Sequence, residues 1–141
     1  MHPILYPPGE KDFLDNGLAV LTDCTKCLVT EERNGAYTLE MQYPANGRHY
    51  DLIAEDCILL AKPNPDDEPQ PFRIYKSGVT MSGVTTWYGE HVSYFANDVP
   101  IEPIATSQTT PAGAFAKISA AAALENPFTF STTLSTETSF G

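Results

Sequence analysis

The sequence predicts a mainly β fold: a barrel or sandwich of about seven short antiparallel strands, followed by a C-terminal α-helix and strand that open a second, incomplete domain. Three observations carry this expectation. Large apolar residues alternate with polar ones over 37–43. Short apolar runs separated by Gly, Pro, Asn and Asp recur through 1–104. An Ala-rich run near the C-terminus opens on a helix-start signal.

Residues 2–6 suit a short edge strand, because Pro3 lacks the donor that a central strand needs, and Pro7, Pro8 and Gly9 end it. A second apolar run covers 18–21. The next, 26–32, centres on Leu28 and Val29. Asn34-Gly35 then supplies the positive φ values of a tight hairpin turn. After it, Tyr37, Leu39, Met41 and Tyr43 alternate with Thr38, Glu40 and Gln42, which puts the four large groups on one face. The pattern predicts a hairpin of 26–32 and 36–43 with that face buried.

Pro44 to Gly47 breaks the strand, and 48–54 suits one helical turn. Residues 57–61 read as a buried strand, 62–71 as a Pro-rich acidic loop, and 72–76 as a further strand. Ser77-Gly78 and Ser82-Gly83 bracket a turn, and 84–92 returns as a strand. The character changes near Pro103, so the first domain is placed at 1–104. Residues 105–141 read as linker, helix and strand. Thr110 fits an N-cap with Pro111 at the first helical position. The helix is expected to run to Leu124, with Phe115, Ile118 and Ala122 on one stripe, and Asn126-Pro127 stops it. Phe128 to Phe130 then starts a strand. A helix and one strand cannot bury a core alone, which is why this second domain is expected to be truncated.

Eight Lys and Arg against 18 Asp and Glu give a net charge of −10 over 141 residues. Such a surface repels polyphosphate, which argues against a nucleic-acid binder. Solubility alone also accounts for it. No apolar run approaches the roughly 20 residues of a membrane span. The N-terminus has neither a basic n-region nor an apolar h-region, so synthesis in a cytoplasm is expected.

No complete catalytic or metal-binding constellation is legible, and no cofactor is expected. Cys24 and Cys27 have C-x-x-C spacing, and Cys57 with His49 would complete a tetrahedral zinc set. A zinc ribbon, however, supplies a second close ligand pair, and a thioredoxin-type motif opens a helix where this one leads into a strand. Free thiols in a reducing compartment fit better. His91 and Ser93, two apart on a strand, would share a face, yet the sequence around them lacks a nucleophile turn and a Gly-rich oxyanion loop. Asp66, Asp67 and Glu68 lack the spacing of a Ca²⁺ loop and read as a solvated acidic loop. Trp87, Tyr88, Tyr94 and Phe95 would suit a carbohydrate-stacking platform, although aromatics on strands are more often core.

Three segments carry a resemblance. They are Val29 to Pro44 with Asn34-Gly35, Tyr37, Leu39 and Tyr43-Pro44; Gln70 to Tyr75; and Glu90 to Tyr94. In order and spacing, with Ile4-Leu5-Tyr6, Phe13 and Gly17 before them, the sequence resembles the N-terminal region of phage minor structural proteins. These are the tail-associated, prophage endopeptidase tail proteins of long-tailed phages. One departure is Tyr88-Gly89 before Glu90-His91, where the family pattern has a small residue directly before the histidine.

The resemblance implies a non-enzymatic virion structural protein. Residues 1–104 would be a tail-tube-like β-barrel of the baseplate hub. The full-length protein would form a homotrimer at the virion tail tip, against distal tail protein, tail tube and tape-measure proteins, with DNA passing through without specific binding. Hydrolase activity would lie in C-terminal regions absent from this chain. An acidic lumen would suit DNA passage, and Glu31, Glu32 and Glu40 are the candidates for it, as the hairpin's polar face. Two alternatives belong to other classes: a carbohydrate-binding β-module using Trp87, Tyr88 and Tyr94, or the non-catalytic part of a peptidoglycan hydrolase.

Overall fold

The computed structural model describes residues 2–104, 109–124 and 128–134. The protein divides into two compact units, Met1–Val92 and Ser93–Gly141. The division falls after Val92, where the sequence pattern suggested a boundary after residue 104.

The first unit is one seven-stranded sheet. Its strands are β1 (Ile4–Tyr6), β2 (Ala19–Val20), β3 (Lys26–Glu31), β4 (Tyr37–Pro44), β5 (Ile58–Ala61), β6 (Gln70–Val79) and β7 (Val84–His91). They lie in the order β2-β1-β5-β6-β7-β4-β3, and every neighbouring pair is antiparallel. The fold class is therefore the one the sequence predicts: a mainly β protein, with an α-helix following the strands in sequence.

The sheet curls into a half-barrel, and its connectivity requires this. β2 and β3 are opposite edges, yet only residues 21–25 join them. A flat sheet of this order would set its edges about 29 Å apart at a strand spacing of about 4.8 Å. The link from Val20 to Lys26 reaches at most about 23 Å at about 3.8 Å per residue. The sheet must bend to bring its edges within reach.

The concave side holds the core. Leu5, Leu21, Leu39, Met41, Tyr43, Leu59, Phe72 and Ile74 are almost wholly buried there, with Ala19, Ile53, Cys57, Ala61 and Trp87 around them. Tyr37 packs against the same cluster. The alternation over 37–43 thus does what the sequence predicts. Burying each large apolar side chain adds roughly 1.5–3 kcal/mol of stability. Across the other face runs a row set by register: Tyr6, Ile58, Arg73, Glu90, Thr38 and Thr30. Phe13 stands edge-on to Tyr6 at 5.2 Å, and the Tyr6 hydroxyl donates to the Asp15 carbonyl at 2.6 Å. Gly17 lets this segment press on β1: at φ +63°, a Cβ there would meet the Leu5 carbonyl at 2.4 Å.

The β3–β4 turn uses one positive φ, at Asn34 (57°), where the Asn-Gly motif predicts a pair. The Gly35 N–H donates to the Glu32 carbonyl at 3.0 Å. Gly35 is needed for space, since a Cβ would lie 2.8 Å from the Glu32 side chain. The helical turn expected at 48–54 is the 3-10 segment Tyr50–Leu52.

β6 is longer than the expected 72–76. Pro71 fits inside it because β7 ends at His91, opposite Phe72, so no ladder partner stands beside its missing N–H on that side. Past Ile74 the register with β7 shifts: Ile74 faces Gly89 and Lys76 faces Tyr88, leaving Tyr75 as the extra residue of a bulge. β5 pairs with β6 only as far as Arg73.

The second unit contains most of a 3-10 segment, Val92–Asp98, and the helix α1 (Pro111–Ala120). Thr110 caps α1 as expected, its Oγ1 accepting from the Gly113 N–H at 3.2 Å, with Pro111 in the first turn. The helix stops at Ala120, short of Leu124. Residues 121–123 exchange backbone bonds with 100–102 instead: Glu102 N–H to Ala121 O and Ala123 N–H to Pro100 O, both at 2.9 Å. Ala122, expected on the helix stripe, lies beyond its end. The expected strand at 128–130 is not one. Its apolar signal is met by ring contact, with Phe130 stacked on Phe115 at 5.6 Å. The Asn126-Pro127 stop and most of the 105–110 linker lie outside the described residues.

Candidate functional site

The residues singled out from the sequence do not converge. Cys57 is buried in the core with its thiol toward the Leu52 carbonyl at 3.9 Å. Among the described residues, no group of three or more His, Cys, Asp or Glu is placed to hold a metal ion. β7 ends at His91, and Ser93 lies in the 3-10 segment, so the shared strand face expected of the two does not form. The His91 ring instead stacks on Tyr37 at 4.4 Å and stands edge-on to Phe72 at 5.5 Å. Its Nε2 meets Gln70 Oε1 at 3.3 Å, and burial holds its pKa below the ordinary histidine value. The loop 62–69 is exposed around Asp66 and Asp67, and Asn64 Nδ2 donates to Asp67 Oδ2 at 2.7 Å.

The aromatic platform is not assembled on β7. Trp87 is 7% exposed and belongs to the core. Tyr88, its neighbour on the strand, points to the opposite face, where Lys76 Nζ lies 5.7 Å from its ring centroid. Tyr94 is in the 3-10 segment of the second unit.

The acidic candidates also separate. Glu40 is on the convex face, paired with Lys26 at 2.8 Å. Glu31 is in register with Tyr37, hence on the core side of the sheet, exposed at its rim. Its charge helps hold the Tyr37 phenol above its usual pKa, after the larger effect of burial. Glu31, Glu32 and Glu40 therefore do not form one polar face. The hairpin reverses the expectation because strand alternation puts Glu31, an odd-numbered neighbour of Cys27 and Val29, with the core residues.

What the fold does expose is its edges. Among the described residues, β3 and β2 border no further strand on their outer sides. Leu28 on β3 is 50% exposed and Val20 on β2 is 44% exposed. Past Ile74, whose backbone still bonds to Asp56 and Cys57, β6 borders β7 alone, and this arm carries Tyr75 (46% exposed), Val79 (74%) and a fully exposed Met81 at its tip. Lys26 and Glu31 on β3 and the two-residue length of β2 are devices that blunt such edges against indiscriminate pairing. The sequence did carry a signal for the arm: Val79 and Met81 are large apolar residues at a turn, where polar ones are usual.

Cys24 and Cys27 lie close together on the link into β3. Cys24 follows the turn that leaves β2, its N–H donating to the Leu21 carbonyl at 3.3 Å, and Cys27 is the second residue of β3. The Cys24 thiol donates to the Lys26 carbonyl at 3.1 Å, which sets its sulfur beside the backbone that enters Cys27. A bond from the Cys27 thiol lowers the Cys24 pKa, against the opposing effect of burial. The Cys27 thiol is correspondingly raised, first by that bond and then by burial. No helix of the described residues is long and apolar enough to cross a membrane.

Comparison with protein-family models, with curated proteins and with solved structures finds no match to this sequence or its fold.

Proposed function

We propose that this protein is a structural part of a phage or prophage tail tip, a β-module of the baseplate hub beneath the tail tube, working by assembly and not by catalysis. The observation that carries the reading is the open half-barrel. Two edges and the β6–β7 arm leave backbone and apolar groups, with Leu28, Tyr75, Val79 and Met81, facing outward. Neighbouring subunits would supply what closes them, because an unpaired strand edge is a template for another polypeptide. The motif Asn34-Gly35, Tyr37, Leu39 and Tyr43-Pro44 adds the resemblance to tail-associated proteins.

In this reading three full-length copies form a ring around a channel, against distal tail, tail-tube and tape-measure proteins. DNA crosses without sticking, since a net charge of −10 repels phosphate. The lumen carboxylates are not Glu40, which is engaged by Lys26; rim groups such as Glu31 and Glu32 remain suited to it. Synthesis is in the bacterial cytoplasm, and any hydrolase activity belongs to other parts of the full-length protein. The burial of Trp87 weighs against the carbohydrate-platform alternative.

Electron cryomicroscopy of the full-length gene product tests the assembly. A closed ring of three copies with strand edges or arms at its contacts is the expected result. A dispersed monomer at high concentration, or a ring that leaves β3 and the arm in solvent, would overturn it.

A further inference from the structure

We propose that Cys24 and Cys27 are a reversible dithiol, closing to an intramolecular disulfide under oxidising conditions and stapling the link between the sheet's two edges to the start of β3. The pair stands on the five-residue link 21–25 and the first residues after it, the connection that joins opposite edges of the half-barrel. The Cys24 thiol lies 3.1 Å from the Lys26 carbonyl, against the residue that precedes Cys27, and Cys27 is exposed and Cys24 half-buried, so an oxidant in solution reaches both. Cys57 is not a competitor, because it is buried in the core. The residues between the two cysteines are already anchored to β4. The Thr25 N–H donates to the Gln42 carbonyl at 3.0 Å, and Lys26 pairs with Glu40. Closing the 24–27 loop would therefore stiffen the β3 edge and leave the core untouched.

Attack begins from one thiolate of the pair, for instance Cys24. With oxidised glutathione as oxidant, the Cys24 thiolate breaks the glutathione S–S bond, forms a mixed disulfide and expels one glutathione thiolate. Cys27 then gives its proton to solvent, and its thiolate displaces the second glutathione from the Cys24 sulfur. Two electrons pass from the dithiol to glutathione, one S–S bond is exchanged for another, and two glutathione thiols are formed. A protein made in a reducing cytoplasm and released from it would carry the open form inside and the closed form outside. The chemistry is the same whether or not the protein belongs to a tail tip.

The test is equilibration of the whole protein with reduced and oxidised glutathione at an oxidising ratio, then alkylation of remaining thiols, tryptic digestion and mass spectrometry. Trypsin cuts after Lys26, between the two cysteines, so a closed disulfide holds two peptides together until it is reduced. Expected is that linked pair, with alkylatable thiols falling from the three of the reduced protein to Cys57 alone. Cys57→Ser should keep the linkage, and Cys27→Ser should abolish it and leave Cys24 carrying glutathione. Cys24 and Cys27 both alkylated, a persistent glutathione adduct on the unmutated protein, or a linkage to Cys57 would each overturn the proposal.

Discussion

Arg73 on β6 donates from Nη2 to Glu90 Oε1 on β7 at 2.7 Å, directly across the strand pair and on the face away from the core. Asp56 approaches the same guanidinium at 3.9 Å. The Arg73 and Glu90 side chains are 31% and 29% exposed, so water screens the pair. Glu90→Gln should cost about 0.5–1 kcal/mol at low salt. The cost should shrink in roughly 1 M salt, where the Debye length falls to about 3 Å. Urea unfolding at both salt levels checks this. A loss above about 3 kcal/mol, indifferent to salt, would mean a buried charge pair instead.

Leu39 and Leu28 lie one strand apart and differ in burial, 2% against 50% exposed. Leu39→Ala should cost about 2–4 kcal/mol through lost burial and the cavity left behind. Leu28→Ala should stay within about 0.5 kcal/mol in the isolated protein. Equal losses in denaturant midpoints would show that the β3 edge is packed in solution.

His91 makes stability depend on pH. Its folded pKa lies below the unfolded one because burial penalises the imidazolium. The unfolded state therefore binds the proton more readily. The contribution is fully present above the unfolded pKa of about 6.5 and is lost as pH falls through the folded value. The melting temperature should be lower near pH 5 than near pH 7.5. His91→Phe, which keeps an aromatic ring beside Tyr37 and Phe72, should flatten that part of the slope. An unchanged slope in the variant would assign it to other groups.

Much of the sheet was legible because its signals are local. The 37–43 alternation and the Asn34-Gly35 turn each concern residues that touch along one hairpin. What was not legible depends on partners distant in sequence. β6 runs on to Val79 because β7 is there to pair with it, and Tyr75 breaks the alternation that would have revealed it. α1 ends at Ala120 because 100–102 take over the backbone bonds of 121–123. The turn of the Cys24 thiol onto the Lys26 carbonyl likewise depends on how the link bends between the sheet edges, which spacing alone leaves open.

Trp87, the one tryptophan, reports on its own burial. Its emission should be blue-shifted in the native protein, resist acrylamide quenching, and move to the red on unfolding in urea. Native emission at the wavelength of a solvated indole, quenched by acrylamide and altered by oligosaccharides, would favour a carbohydrate-stacking surface.

Where this protein works can be seen by labelling of particles. Antibody raised against the protein, coupled to gold, is applied to tailed particles released by the bacterium that carries the gene, and viewed by electron microscopy. A tail-tip protein places gold at the distal end of the tail and none on the head. Unlabelled tails, on particles that mass spectrometry shows to lack the protein, would contradict it.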